Sequence, residues 1–232
     1  MRRVAVAVAG AVAGVALAVT ITAAAATGVA TTECRGLQVC VPVVGPWVLA
    51  TTAGTEFQLD CPKRFVVGGL DAELSSRAVD LGFVGGLGSP VNPGVTTTGS
   101  AVFLGRFVGA RGVATFRPHI GCIPASGGGQ RTPTAYQVFK PGKPTVRVVQ
   151  QLTVLPIVTT NLVAHCAASQ RLVRATYAVA FFSDTPPSAR VAQSVHVKQV
   201  VRNGNVRVSA HGGLAIPENT IVQVDLVCAV AA

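Results

Sequence analysis

Two pairs of cysteines constrain this chain more than any other feature: Cys61 and Cys122 stand 61 positions apart, and Cys166 and Cys228 stand 62 apart. Ahead of each cysteine the residues two and four positions back are mostly apolar, and those one and three back are mostly polar or small. Before Cys61, for example, Leu59 and Phe57 alternate with Asp60 and Gln58. A period of two describes a half-buried β-strand, and a cysteine in the apolar phase describes a buried sulfur. Each pair therefore reads as the disulfide pin of one β-domain.

Six cysteines allow 15 pairings, but the repeated spacing selects Cys61 with Cys122 and Cys166 with Cys228. Cys34 and Cys40 then close a small loop. In the loop-entropy model each long loop contributes about 4 kcal/mol and the short one about 2 kcal/mol. Disulfides imply an oxidising compartment. A zinc site is disfavoured, because no CxxC pair is present. The start of the chain agrees: Met1-Arg2-Arg3 precedes an apolar run from Val4 to about Ala26, with small residues at Ala24 and Ala26. That is the layout of a secretory signal peptide. The run is also long enough to span a bilayer, so an uncleaved anchor is the rival.

The expected organisation is all-β: a signal peptide over 1–26 and a lead-in over 27–46 carrying the small cysteine loop. A first β-domain follows over 47–123, a Gly/Pro-rich basic linker over 124–144, and a second β-domain over 145–232. Two tandem β-sandwich-like domains result, with one larger two-sheet fold sharing a core as the alternative. The cysteine spacing resembles that of immunoglobulin-like domains in architecture alone. No tryptophan lies between either pair, and no tyrosine stands two before Cys122 or Cys228.

Several local expectations follow. Thr145–Val154 reads as a long strand, Val79–Phe83 as a strand, and Leu70–Ala78 admits a short helical turn. Pro118 should hold its strand near a sheet edge, and Trp47 should pack at the margin of the first core, with a ligand platform as the lesser reading. Asn203-Gly204 between β-branched runs favours a two-residue type I′ hairpin. In that register the paired residue numbers sum to 407, so His196 faces His211. Gln223 and Asp225 should point outward from the last strand.

Charge is unevenly placed. The formal charge is +10, with 7 basic and 6 acidic residues over 27–130 but 10 basic and 3 acidic over 131–232. The basic second half suggests an anionic partner: a cell-wall polymer, a membrane surface or an acidic protein. The candidate anion-contact residues are Arg131, Lys140, Lys143, Arg147, Lys198, Arg202 and Arg207. Aromatic residues are scarce and not interleaved with basic ones, so specific nucleic-acid recognition is not expected.

Catalytic signals are weak. No GxSxG, HExxH, Walker or calcium-hand motif is present, and neither a cofactor nor a metal is expected. The glycine spacing from Gly82 to Gly94 has prolines and no following helix, and so reads as a loop. His196 and His211 could share a proton or a metal, but a third ligand such as Asp184 or Asp225 would have to join them, and Lys198 and Arg207 oppose a cation. Asp71 and Glu73, beside Asp80, read as an exposed acidic edge, and His119 and His165 as solvated or interface histidines. The expected function is that of an exported, non-enzymatic structural or binding protein. A secreted hydrolase with an interdomain active site is the alternative.

Overall fold

The computed structural model describes residues 31–84, 99–125 and 145–230. The signal-peptide reading, the loop from Gly85 to Thr98 and all but the first two residues of the linker lie outside the described residues.

The fold is all-β with three disulfides, Cys34–Cys40, Cys61–Cys122 and Cys166–Cys228. In the first half the strands are β1 (Val41–Val44), β2 (Trp47–Ala50), β3 (Thr55–Asp60), β4 (Phe65–Leu74), β5 (Val79–Val84), β6 (Ser100–Phe107) and β7 (Ala114–Pro124). The second half supplies β8 (Thr145–Val154), β9 (Thr159–His165), β10 (Gln170–Phe181), β11 (Val195–Arg202), β12 (Asn205–Gly212) and β13 (Thr220–Val230). A short helix, α1 (Ala189–Gln193), is capped by the Ser188 hydroxyl, which accepts from the Val191 N–H.

The two halves repeat one topology. In the first, β7 lies between β4 on one side and β1 and β2 on the other, and a separate sheet runs β5-β6-β3. In the second, β13 lies between β10 and β8, and a separate sheet runs β11-β12-β9. Even the irregularities repeat. The β4–β7 register slips after Val67, opposite Cys122, and the β10–β13 register slips after Leu172, opposite Cys228.

The halves are not separate in the sheet. β2 pairs with β10, Val48 opposite Ala180 and Trp47 opposite Phe181, so seven strands of both halves form one continuous sheet. The cores cross over as well. One cluster gathers Phe57, Phe103, Phe116 and Cys122 together with Ala178, Ala180 and Ile221 of the second half. The other gathers Phe181, Val208, Val224 and Cys228 together with Trp47 of the first. Trp47, expected at the margin of the first core, is buried in the second, with the Arg117 guanidinium 5.8 Å from its ring centroid.

Two further expectations need correction. Leu70–Ala78 contains no helical turn, because the strand begun at Phe65 continues to Leu74 and pairs with β7 throughout. Pro118 sits in a central strand rather than at an edge. It is tolerated because the neighbouring chain breaks there between β1 and β2, and the Gly45 N–H donates to the Pro118 carbonyl at 2.8 Å. The missing proline N–H thus falls where no continuous partner strand runs. The hairpin behaves as expected: every β11–β12 pair from Val195↔Gly212 to Arg202↔Asn205 follows the predicted register, and Asn203 and Gly204 have φ of 49° and 75°.

Candidate functional site

The hairpin positions an exposed, largely polar sheet face in the second half. β9 joins β12 antiparallel, so four rows of outward side chains cross three strands. They are His196, His211 and Thr159; Lys198, Ser209 and Asn161; Val200, Arg207 and Val163; and Arg202, Asn205 and His165. All but the half-buried Ser209 are exposed. The opposite phase, including Val206, Val208, Ala210 and Ala164, enters the core. No carboxylate stands in these rows, while three of the chain's four histidines do.

Lys198, Arg202 and Arg207 of the candidate contact residues share this face. Arg147 does not. It lies in β8 against Glu56 and Asp225, its charge already matched inside the protein. Arg131, Lys140 and Lys143 lie outside the described residues. At the hairpin-tip end of the face, an open groove of about 580 Å³ runs between the tip and the β9–β10 turn, lined among others by His165, Gln170, Arg171, Asn203 and Asn205.

His196 and His211 oppose one another as the register requires, and the Thr159 hydroxyl lies 3.4 Å from His211 Nδ1. Neither proposed third ligand completes a metal site. Asp225 is buried on another sheet, and among the described residues no group of three His, Cys, Asp or Glu side chains is arranged to hold a metal ion.

Two buried polar clusters were not anticipated. Both lie on the outward phase of a disulfide-bearing strand, at its residue three before the cysteine. In the first half that residue is His119, which is 2 % exposed. Its Nε2 lies 2.9 Å from Glu73 Oε1, and its Nδ1 lies 4.0 Å from Glu33 Oε1. The backbone around Glu33 crosses the sheet so closely that a Cβ at Gly69 or Gly121 would overlap the Glu33 carbonyl. Asp71 receives the Thr32 N–H at 2.6 Å and the Ala72 N–H at 2.8 Å. Burial pushes the Asp71 carboxyl up, but these N–H donors, the Thr32 hydroxyl and the charge of His119 outweigh it and hold the group below its ordinary value. Asp71 and Glu73 are therefore a clasp for the N-terminal segment, not an exposed acidic edge. Asp80 alone fits that description, 3.7 Å from Arg106 in an exposed pair.

In the second half the equivalent residue is Asp225, also 2 % exposed. Arg147 bridges it to Glu56, with an Arg147–Glu56 distance of 3.0 Å, and Arg174 approaches the same glutamate at 2.5 Å. Burial raises the Asp225 carboxyl, against the opposing pull of Arg147. Two residues earlier, the Gln223 carboxamide accepts the Gln58 N–H at 2.7 Å and donates to the Gln58 carbonyl at 3.0 Å. It satisfies the edge of β3 as a neighbouring strand would. Gln223 and Asp225 do take the outward phase, but β3 of the other half covers them.

A His–carboxylate pair can serve acid–base chemistry, yet the His119 imidazole is almost wholly buried among the described residues, with the Glu33 side chain against it. The Glu56–Arg147–Asp225 array lies at the junction between the halves with its charges paired to one another. A trace of both clusters was in the sequence, because His119 and Asp225 stand at the same offset from their cysteines. What would cover them was not. Comparisons with protein-family models, curated proteins and solved structures find no match to this chain.

Proposed function

We propose that the chain is an exported, non-enzymatic binding protein of the cell envelope or extracellular space, built from two tandem β-sandwich-like units, with the β9–β12–β11 face as its contact surface for an anionic partner. The observation that carries this reading is the run of Lys198, Arg207 and Arg202 across an exposed sheet face with no carboxylate beside them. A field of one sign, unopposed on its own face, attracts polyanions at moderate ionic strength. The three disulfides support an oxidising destination. Against the hydrolase alternative, the carboxylates described at the junction, Glu56 and Asp225, are already paired with Arg147 and Arg174.

The test is salt-dependent retention on an immobilised polyanion. Wild-type protein is expected to elute at markedly higher salt than a K198E/R207E variant with an unchanged unfolding midpoint. Equal elution of the two, or retention insensitive to salt, would overturn the reading.

A further inference from the structure

At the end of the second half opposite the groove, the chain exposes apolar side chains on adjoining turns. The β8–β9 turn presents Leu155, Ile157 and Val158, and the β12–β13 turn presents Leu214. The two turns are locked together: Pro156 bridges Gly212, and the Ile157 N–H donates to the Gly212 carbonyl at 2.8 Å. Phe182 stands on the same end, its N–H donating to the Asn219 carbonyl at 3.2 Å, and it too is exposed. Ile157 is 63 % exposed and Leu214 is 79 % exposed.

The backbone adds a second, independent observation. Ile157 has a φ of 53°, in the left-handed region where a β-branched side chain is a true outlier. Nothing about core packing asks for isoleucine there, since the side chain faces water, and Gly or Asn would relieve the strain. A strained turn that holds an apolar side chain out of the protein is the pattern of a contact device.

We infer that this tip, together with the adjoining basic face, docks on an anionic lipid surface. The inference rests on the proposed function and names the partner of that same face. Three features favour a bilayer over a protein partner. The apolar groups project from turn tips, as shallow membrane insertion requires, rather than spreading over a flat patch. The first polar row behind the tip is His196, His211 and Thr159, the next contains Lys198 and the one after that Arg207, so one cation, Lys198, stands close behind the tip when it enters the interface. Arg190 of α1 is exposed at the same end, where the Gly213 N–H donates to the Ser194 carbonyl just after the helix. The carboxylates of this end, Asp184 and Glu218, share the β10–α1 and β12–β13 connections with Phe182 and Leu214, so the contact centres on the β8–β9 turn and the neighbouring Leu214, on the Lys198 side of the tip. Each cation brought close to an anionic surface multiplies partitioning by about fivefold.

The experiment is flotation with vesicles of phosphatidylglycerol and phosphatidylcholine, or of phosphatidylcholine alone, at about 0.1 M salt. Alongside it, the full chain is tested on the polyanion column and for self-association. Wild type is expected to float with the anionic vesicles and not with the neutral ones. An I157N/L214S variant should bind about tenfold more weakly, with polyanion elution unchanged and an unfolding midpoint equal or higher, because Asn accepts the left-handed backbone. Retention on the polyanion without flotation would overturn the lipid inference and leave the anion-binding reading standing. Failure of both would remove both. Flotation undiminished in I157N/L214S, or a wild-type oligomer that this variant dissolves, would also overturn the inference, the latter by making a second copy the occupant of the tip.

Discussion

Arg147 shows how one residue can be misread from charge alone. It belongs to the basic second half, but its guanidinium lies between Glu56 and Asp225, and the Asp225 carboxylate is almost wholly buried. Removing one partner of such a pair leaves a buried charge without compensation, a loss of about 3–5 kcal/mol, whereas replacing both with apolar groups is often neutral. Arg147→Met is expected to cost about 3 kcal/mol near neutral pH, and R147M/D225L much less, read from urea midpoints. The sign of the pH dependence follows from the raised Asp225 carboxyl. Its folded value lies above the ordinary 3.8, so the native state binds the extra proton in the window between them. The cost it imposes grows as pH rises through that window and fades as pH falls. R147M should therefore recover stability on mild acidification. A variant equally destabilised at every pH would show that charge burial is not the cause.

At the scale of elements, the sequence was most legible where a local rule has one solution. Asn203-Gly204 requires positive φ at both positions, and that turn set the whole β11–β12 register. Gly204→Val should cost about 1–2 kcal/mol, with amide exchange rising first at Val201 and Val206. Unchanged protection there would mean that β9 and the core hold the register without the turn. β8 and β13 were equally legible, since β-branched runs and period two name a strand without reference to its neighbours. β7 was harder. Pro118 argues for an edge on local grounds, and only the break between Val44 and Trp47 in the adjoining chain shows why a central strand accepts it. The clasp around His119 was illegible for a related reason, because Glu33 and Glu73 reach it from segments distant in sequence.

For the whole molecule, a repeated topology and a shared sheet act together. Each half closes its own disulfide and keeps its own three-stranded second sheet, yet Trp47 fills the second core, Ala178 and Ile221 fill the first, and Gln223 completes the edge of β3. Neither half buries its apolar surface alone. Thermal or denaturant unfolding of the disulfide-intact protein should thus follow one transition, with Trp47 fluorescence coincident with a probe in the β11–β12 hairpin. Two separated transitions would show that the halves are energetically independent in spite of the shared sheet. The sequence by itself determined the strand phases, the three disulfides, the hairpin register and the excess of positive charge, because these depend on local periodicity, backbone stereochemistry and counting. Only the tertiary structure decided which outward faces stay wet. A period of two separates two faces but carries no mark of what covers the second, so His119 and Asp225, buried beneath other segments, read the same as Lys198 and Arg207, which face water.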